Sequence, residues 1–443
     1  MQKAIVAVSG AVTALLLAIS LASMVMWTRN IGLAEDWNMV AAMTGHEHDL
    51  GAWLWAQNNE HRLPVQRIIY LGLLRATGDF RSAMVFSQLL MASLALVLMR
   101  AAFLARGRQA RLSDAVFPLA LMHLGHWENL LWGWQIQFTW SVFLCGLLLA
   151  VILRQRGGVF LKAGLLTIVL LALLPLAGAN GMIIVLGLLP WTVLSGIAQL
   201  RAGQSRAARR GGMALLIGAG LGVVSTLVYF IGYQAPGWSP PLATPHQFLH
   251  AALAYFAMAF GPWARAVPWP AGIGMILFSS AGALFALRHW IRVRATDGPR
   301  ALGLALFIGV NLALGVAISL ARGAYPSQMP DRYALFSVLP LLAGVMAWDL
   351  YGPRRAARTI GAGAALIFLV ALPLNVKAGF KWRYWYEDGM QAVEADIAAR
   401  TPLKAIARRH REFLLHWNGA MLEDGMTQLH DAGMGPFATV PAQ

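Results

Sequence analysis

Charged residues are scarce in this sequence. They make up 12% of its 443 residues, against about a quarter in an average soluble domain, and only 19 residues are acidic. Hydrophobic residues make up 58%, and apolar runs of about 18 or more residues recur along the chain. A helix of about 20 apolar residues crosses a membrane. The composition is therefore typical of an all-α polytopic membrane protein and not of a soluble domain.

Cysteine is almost absent as well. The single Cys145 lies within an apolar run, which excludes an intramolecular disulfide and a cysteine metal site. The sequence also contains no P-loop, dinucleotide fingerprint or nucleophile elbow. We therefore predict no cofactor.

A divalent metal is the minority alternative to that prediction. Histidines and carboxylates alternate in two short groups, at 46–49 and 60–61. No CxxC, HExxH or DxD element accompanies them, so their spacing is weak evidence for ligation.

The net charge of +16 raises the question of nucleic acid. The basic residues, however, form short clusters between apolar runs, at 106–111, 154–156, 201–210, 288–300 and 354–358. This is the distribution that the positive-inside rule produces in cytoplasmic linkers. We predict about eleven transmembrane helices, a cytoplasmic N-terminus, an external C-terminus and no nucleic-acid partner.

This topology divides the chain into a transmembrane domain, 1–376, and a small external helical tail, 377–443. Its third predicted span, 112–124, is short, and its fifth is 160–176. The first external loop is 28–79. The proline-rich segment 234–270 is also external, and 248–260 within it is interfacial or re-entrant, because a full span there would reverse the side of every later basic linker.

The first external loop carries an unusual concentration of acids. Glu35 and Asp36 directly follow the first span, where a carboxylate at the mouth of a cavity can accept a proton from an alcohol nucleophile. An ordinary solvated loop acid is the alternative. We predict Asp36 and Glu35 as the catalytic residues.

A second polar group follows the third predicted span. Its carboxylate stands among tryptophans and amides, and a carboxylate there is costly to place in lipid. Aromatic faces and amides together favour a sugar-binding surface, with an aromatic belt as the alternative. The residues predicted to bind substrate are Glu128, His126, Trp127 and Gln135, with Glu60, His61 and Arg62 of the first loop.

Late external cations form a third group. Arg322 and Arg332 flank a loop between two predicted spans, against the positive-inside trend. A guanidinium binds phosphate bidentately. Lys377 and Lys381 follow the last span and join the predicted phosphate-binding group, although snorkelling to lipid headgroups is their alternative role.

The layout resembles the GT-C class of integral membrane glycosyltransferases over about residues 1–376. The resemblance rests on the acidic pair in AEDW after the first span, together with QNNEHRLP, HWENLLWGWQIQF and a late ARG…DRY; a group of bacterial membrane proteins of this layout looks similar too. It implies an inverting transfer from a polyprenyl-phosphate sugar, with Asp36 or Glu35 as general base, Glu128 at a sugar and Arg322 or Arg332 at the lipid phosphate.

The expected partners are thus a polyprenyl-phosphate-linked sugar, a glycan or lipid acceptor and membrane lipids. The expected location is the bacterial inner membrane, with the C-terminus periplasmic. A transporter or flippase of lipid-linked sugars is one alternative, and an O-antigen polymerase or ligase is another. A flippase would carry more polar residues deep within its spans, and often sequence repeats.

Overall fold

The computed structural model describes residues 2–156, 158–202, 205–235, 243–293, 297–324 and 329–441. These residues form an almost wholly helical protein. Its α-helices in chain order are α1 (Gln2–Trp27), α2 (Val40–Thr44), α3 (Leu50–Trp55), α4 (Pro64–Thr77), α5 (Arg81–Ala105), α6 (Val116–Leu121), α7 (Trp127–Leu130), α8 (Ile136–Leu153), α9 (Leu161–Leu173), α10 (Ala179–Ala202), α11 (Arg206–Tyr229), α12 (Pro245–Ala257), α13 (Pro268–Arg292), α14 (Gly298–Arg322), α15 (Ala334–Tyr351), α16 (Arg354–Ala398), α17 (Leu403–Leu414) and α18 (Gly419–Asp431).

Short elements connect these helices. The strands β1 (Gln57–Asn58) and β2 (His61–Arg62) form one antiparallel hairpin in the first loop. The 3-10 turns are Ala34–Met39, Leu112–Ala115, Leu124–His126, Gly133–Gln135, Pro175–Ala177, Met258–Phe260, Pro262–Ala266, Asp331–Tyr333 and Gly435–Thr439.

Within the described ranges, nine helical segments are long and apolar enough to cross a membrane. They are α1, α5, α8 with its preceding turn, α10, α11, α13, α14, α15 with its preceding turn, and α16. A helix satisfies its own backbone hydrogen bonds, which lipid cannot do. The prediction of an all-α polytopic membrane protein is confirmed at this level.

The other two predicted spans coincide with shorter elements. Segment 160–176 contains α9, a helix of 13 residues. Segment 112–124 contains the six-residue α6 between two 3-10 turns. Nevertheless this segment runs beside α15, because Arg111 bonds to Asp349 near one end of α15 and Trp127 bonds to Asp331 just before the other.

The core is centred on α15. Its residues from Ala334 to Ala347 are all buried, and α8, α13, α14 and α16 pack around it. A helix that is apolar on every side has to be enclosed by other helices in this way. The predicted external tail, 377–443, is continuous with α16, because this helix runs past residue 376 to Ala398. The tail therefore begins as an extension of the last long helix.

Segment 248–260 forms most of α12 and the following 3-10 turn. α12 packs against α13 and α14, and its residues from Ala251 to Ala257 are buried. The chain then turns at Gly261 and brings Arg265 back to Asp331, at the same end of the protein as the first loop. We call this end the loop-one end. Residues 236–242, also within the predicted external segment 234–270, lie outside the described residues.

A buried ionic network fastens the opposite end. Arg106, at the end of α5, donates to Asp349 Oδ2 at 2.7 Å and pairs with Asp114. Arg111 donates to Asp349 Oδ1 at 2.8 Å, and the Ser113 hydroxyl donates to Asp349 Oδ2 at 2.9 Å. The Arg106 and Asp349 side chains are each 1% exposed. The network therefore joins α5, the 112–115 turn and α15 through charges that are largely closed to solvent, with Arg111 at its edge, 25% exposed.

We expect Asp349→Ala to destabilise the protein by about 3 to 5 kcal/mol, the cost of leaving a buried charge without its partner. Arg106 would keep one carboxylate partner, Asp114, and the Ser113 hydroxyl, and Arg111 would lose the carboxylate that it binds. Thermal and denaturant unfolding in detergent micelles measures the change. Asp431→Ala, on an exposed side chain of α18, is the matched control and should change stability by no more than about 0.5 kcal/mol. Equal stability of the two variants would contradict the prediction.

Candidate functional site

A cavity of about 480 Å³ lies at the loop-one end, within the size range of ligand sites. Its lining comes from four separate parts of the chain: the first loop, the segment around α7, the turn before α13, and the ends of α14 and α15. The lining side chains are Glu35, Asn58, Asn59, Glu60, His61, Trp127, Glu128, Trp134, Gln135, Gln137, Phe138, Arg265, Arg322, Pro330, Asp331, Arg332 and Tyr333.

Three arginine–carboxylate pairs surround this cavity. Each pair joins residues distant in sequence, and together they hold the first loop and the segment around α7 to the ends of α14 and α15. The pairs are Arg322–Glu60, Arg332–Glu128 at 2.5 Å and Arg265–Asp331 at 2.6 Å. With Glu35, the lining has four carboxylates and three guanidinium groups, so its charges nearly cancel.

Arg332 and Glu128 form the most complete of these pairs. The Arg332 side chain donates through Nη1 to Glu128 Oε1, and the Arg332 backbone N–H donates to Glu128 Oε2 at 2.8 Å. Asn129, next in the chain, donates its amide to the Arg332 carbonyl at 3.0 Å. Both oxygens of Glu128 are thus bonded, which orients the carboxylate and the guanidinium at the cavity wall.

Glu35 stands on the 3-10 turn Ala34–Met39 and faces this cavity. Its Oε2 atom is buried, and it has no hydrogen-bond partner among the described residues. Burial raises the pKa of the Glu35 carboxyl above its usual 4.5, while Arg332 and His416 act in the opposite direction. An oxygen that is buried, unbonded and of raised pKa is suited to accept a proton from a ligand.

Asp36, the next residue, points away from the cavity. Its Oδ2 accepts the Leu33 N–H at 3.1 Å and its Oδ1 accepts the Tyr70 hydroxyl at 2.8 Å. Burial raises the pKa of Asp36 to about 7. The neighbouring Gly133 is required here, because a Cβ at this position would lie 2.2 Å from the Tyr70 hydroxyl oxygen. Asp36 therefore stabilises, through these two hydrogen bonds, the turn that carries Glu35.

The hairpin β1–β2 supplies part of the cavity wall. Asn59 at its tip has a φ of 50°, a left-handed conformation that asparagine tolerates better than most residues. His61 Nε2 lies 3.6 Å from Glu60 Oε1. Burial lowers the pKa of His61, so the ring is neutral at pH 7, and its Nδ1 has no partner within the described ranges.

The structure places eight of the predicted site residues on this one cavity: Glu35, Glu60, His61, Trp127, Glu128, Gln135, Arg322 and Arg332. The predicted acidic residues and the predicted phosphate-binding arginines therefore line the same cavity.

Other predicted site residues lie away from the cavity. His126 is fully buried, contacts the Ala120 carbonyl through Nε2 at 2.8 Å and stacks on His123. Arg62 donates to the carbonyls of Trp55 and Ile231. Lys377 and Lys381 are exposed on α16 and do not line the cavity.

Sequence reasoning missed two charged lining residues, Arg265 and Asp331. Arg265 donates to the Met329 carbonyl as well as pairing with Asp331. Asp331 also accepts the Trp127 indole N–H at 3.0 Å. The sequence did offer a signal for Arg265. It is an isolated cation among the prolines of 262–268, on the predicted external side.

Over the part of the chain that the structure describes, no three histidine, cysteine or carboxylate side chains come together as metal ligands. The 46–49 group lies outside the cavity: His46 contacts the Thr44 hydroxyl, and Asp49 caps α3 by accepting the Ala52 N–H.

Comparison with known proteins does not place the chain in a family. No model of a protein family matches the sequence, and no curated protein is significantly similar to it.

We expect the Asp36 carboxyl to make the stability of the protein fall as pH rises. Its carboxyl has a pKa of about 7 in the folded protein and about 3.9 in an unfolded chain. The folded state therefore holds an extra proton between these values, and stability falls as pH rises from 4 to 7. Asp36→Asn removes this contribution. Melting temperatures of the two proteins across this range should diverge, the wild type losing stability relative to the variant. Parallel curves would contradict the prediction.

Proposed function

We propose that the protein is an inverting membrane glycosyltransferase of the GT-C type, which moves a sugar from a polyprenyl-phosphate donor to a glycan or lipid acceptor. The observation that carries the proposal is the position of Glu35, which lines the same cavity as Arg322 and Arg332 and has a buried oxygen without a hydrogen-bond partner among the described residues. A base and phosphate-binding cations on one cavity are what this reaction requires.

The donor phosphate is held by Arg332 and Arg322 in this proposal. Arg332 bonds Glu128 through Nη1, whereas a guanidinium has five N–H donors in all. It is thus able to hold a phosphate oxygen while the carboxylate keeps it oriented. Arg322 is held by Glu60 and donates to the Tyr333 hydroxyl. Preorganised cations stabilise the charge that develops on a leaving phosphate without reorganising at the moment of reaction.

Glu35 is the general base. It removes the proton of an acceptor hydroxyl while the hydroxyl oxygen forms a bond to the anomeric carbon of the donor sugar. The bond from this carbon to the phosphate oxygen breaks, and polyprenyl phosphate leaves with the electron pair. One displacement inverts the anomeric configuration. Asp36 does not touch the reactants; it positions Glu35 through its bonds to Leu33 and Tyr70.

The remaining walls fit a sugar. Trp127 and Trp134 offer aromatic faces, and Gln135 and Gln137 offer amides that both donate and accept. With its amides and paired charges, the cavity suits a hydroxyl-rich ligand.

The proposed topology has about eleven membrane crossings, two of them by 112–124 and 160–176. The basic linkers are then cytoplasmic, and the cavity opens on the periplasmic side of a bacterial inner membrane.

We expect Glu35→Gln to lower kcat for sugar transfer by about 10² to 10⁴, the usual contribution of a general base. Since the base acts deprotonated, the wild-type rate should fall as pH drops through a pKa above 4.5. The assay uses purified protein and a panel of polyprenyl-phosphate sugars.

The matched control for this variant is Glu412→Gln, an exposed glutamate on α17, which should retain full activity. Retained activity in Glu35→Gln, in Asp36→Asn and in the double variant would remove the proposed base.

We expect Arg332→Lys to raise the donor KM about tenfold, because lysine keeps the charge but loses the planar fork. A smaller change in kcat would place the loss in binding. Arg408→Lys, at an exposed position on α17, is the control. An unchanged donor KM in Arg332→Lys would exclude this residue from the donor site.

A further inference from the structure

A second cavity of about 520 Å³ lies between the first loop and the C-terminal tail. One wall is formed by residues around the turn Ala34–Met39, by α3 and by β1; the other is formed by α18. We call it the tail cleft. It borders the first cavity, since Asn58 of the hairpin lines both. The Asn58 Oδ1 atom accepts from the Asn38 amide at 3.4 Å on the tail-cleft side.

The tail is packed firmly against the first loop at this point. Gly425 of α18 allows the contact, because a Cβ there would lie 2.9 Å from the Trp37 ring. The Trp37 ring also packs on Phe437, with ring centroids 6.0 Å apart. The cleft is therefore a shaped feature of the fold, in which side chains from both ends of the sequence face one space.

The chemistry of the tail cleft is that of neutral hydrogen bonding. Amides predominate, with two carboxylates, Glu47 and Asp424. Its cation, Arg67, donates to the carbonyls of Trp53 and Ala56 and lies over the Trp53 ring at 5.2 Å. Because carbonyls engage this guanidinium and the lining also has two carboxylates, the cleft does not favour an anionic ligand. Hydroxyl groups, in contrast, can donate to the carboxylates and bond to the amides.

Three side chains of the lining each have a buried polar atom without a partner in the described part of the chain. The atoms are Trp37 Nε1, Arg67 Nε and Gln428 Oε1, two donors and one acceptor. Buried polar groups are normally hydrogen-bonded, so unsatisfied ones call for a ligand or ordered water. A sugar hydroxyl both donates and accepts, and an indole offers a flat apolar face to a ring.

We infer that the tail cleft binds the acceptor, and that the acceptor is an oligosaccharide. Its chain lies along the cleft between the first loop and α18, and its terminal residue passes Asn58 to bring one hydroxyl to Glu35. The inference rests on the proposed transferase function for this last step, but carbohydrate binding in the cleft stands independently of it.

Binding is tested first, without catalysis. The full-length protein in detergent micelles is applied to an array of oligosaccharides from bacterial cell envelopes, and the affinity of any bound oligosaccharide is then titrated. The double variant Asp424→Ala/Gln428→Ala should bind about tenfold more weakly than the wild type, since it loses two hydrogen-bonding groups.

The control is Asp431→Ala, which removes an exposed acid from the same helix outside the cleft. Asp424→Ala alone, at an exposed position, provides the same test should the double variant fold poorly. The inference is overturned by either of two results: no array oligosaccharide binds the wild type, or the cleft variants bind as tightly as Asp431→Ala.

Transfer assays separate this inference from the proposed function. Cleft-dependent oligosaccharide binding with no sugar transfer from any polyprenyl-phosphate donor would support the cleft and count against the transferase. Transfer whose acceptor KM is the same in the wild type and the cleft variants would support the transferase and overturn the cleft as its acceptor site.

Discussion

A charge beside a hydrocarbon layer is costly unless an opposite charge meets it, and this protein places such pairs at both ends of one buried helix. Asp349, near the last turn of α15, is held by Arg106 and Arg111. Arg332, in the turn before α15, is held by Glu128. The helix between them is apolar on every side and lies at the centre of the core. The pairs therefore tie each end of α15 to distant segments of the chain.

The two ends use the same interaction in different surroundings. At the opposite end, Arg106, Asp114 and Asp349 are at most 7% exposed and bond to one another, and Arg111 at the edge of the network is 25% exposed. At the loop-one end, the pairs line a cavity, and their side chains are partly accessible: Arg332 is 32% exposed and Arg322 18%. A buried network holds helices together, whereas an accessible pair can also meet a ligand. The cavity is thus built on the interactions that fasten the first loop to the helix ends.

Much of this architecture was predictable from the sequence. Long apolar runs predicted the nine long helices seen in the described ranges, and the scarcity of acids directed attention to Glu35, Glu60 and Glu128. The pairing of these acids with late arginines was beyond the sequence, because it depends on how distant segments pack. So was the difference between Glu35 and Asp36. On a 3-10 turn, adjacent side chains diverge, and Asp36 is the acid that bonds within the fold because the Leu33 N–H and the Tyr70 hydroxyl both reach it.

Continuity of α16 has a mechanical consequence. At 1.5 Å per residue, its 45 residues, with Pro373 among them, follow a helical path about 68 Å long, more than twice the hydrocarbon thickness. Near one end, Gly361 packs against Ser113 of the buried network. Further along, Trp382 stacks on Trp127 of the cavity wall, and Trp385 packs on Phe413 of the tail. Moving the tail away from the first loop therefore requires α16 to bend or to tilt as a whole. A tilt would displace its contacts at the cavity wall and at the buried network together.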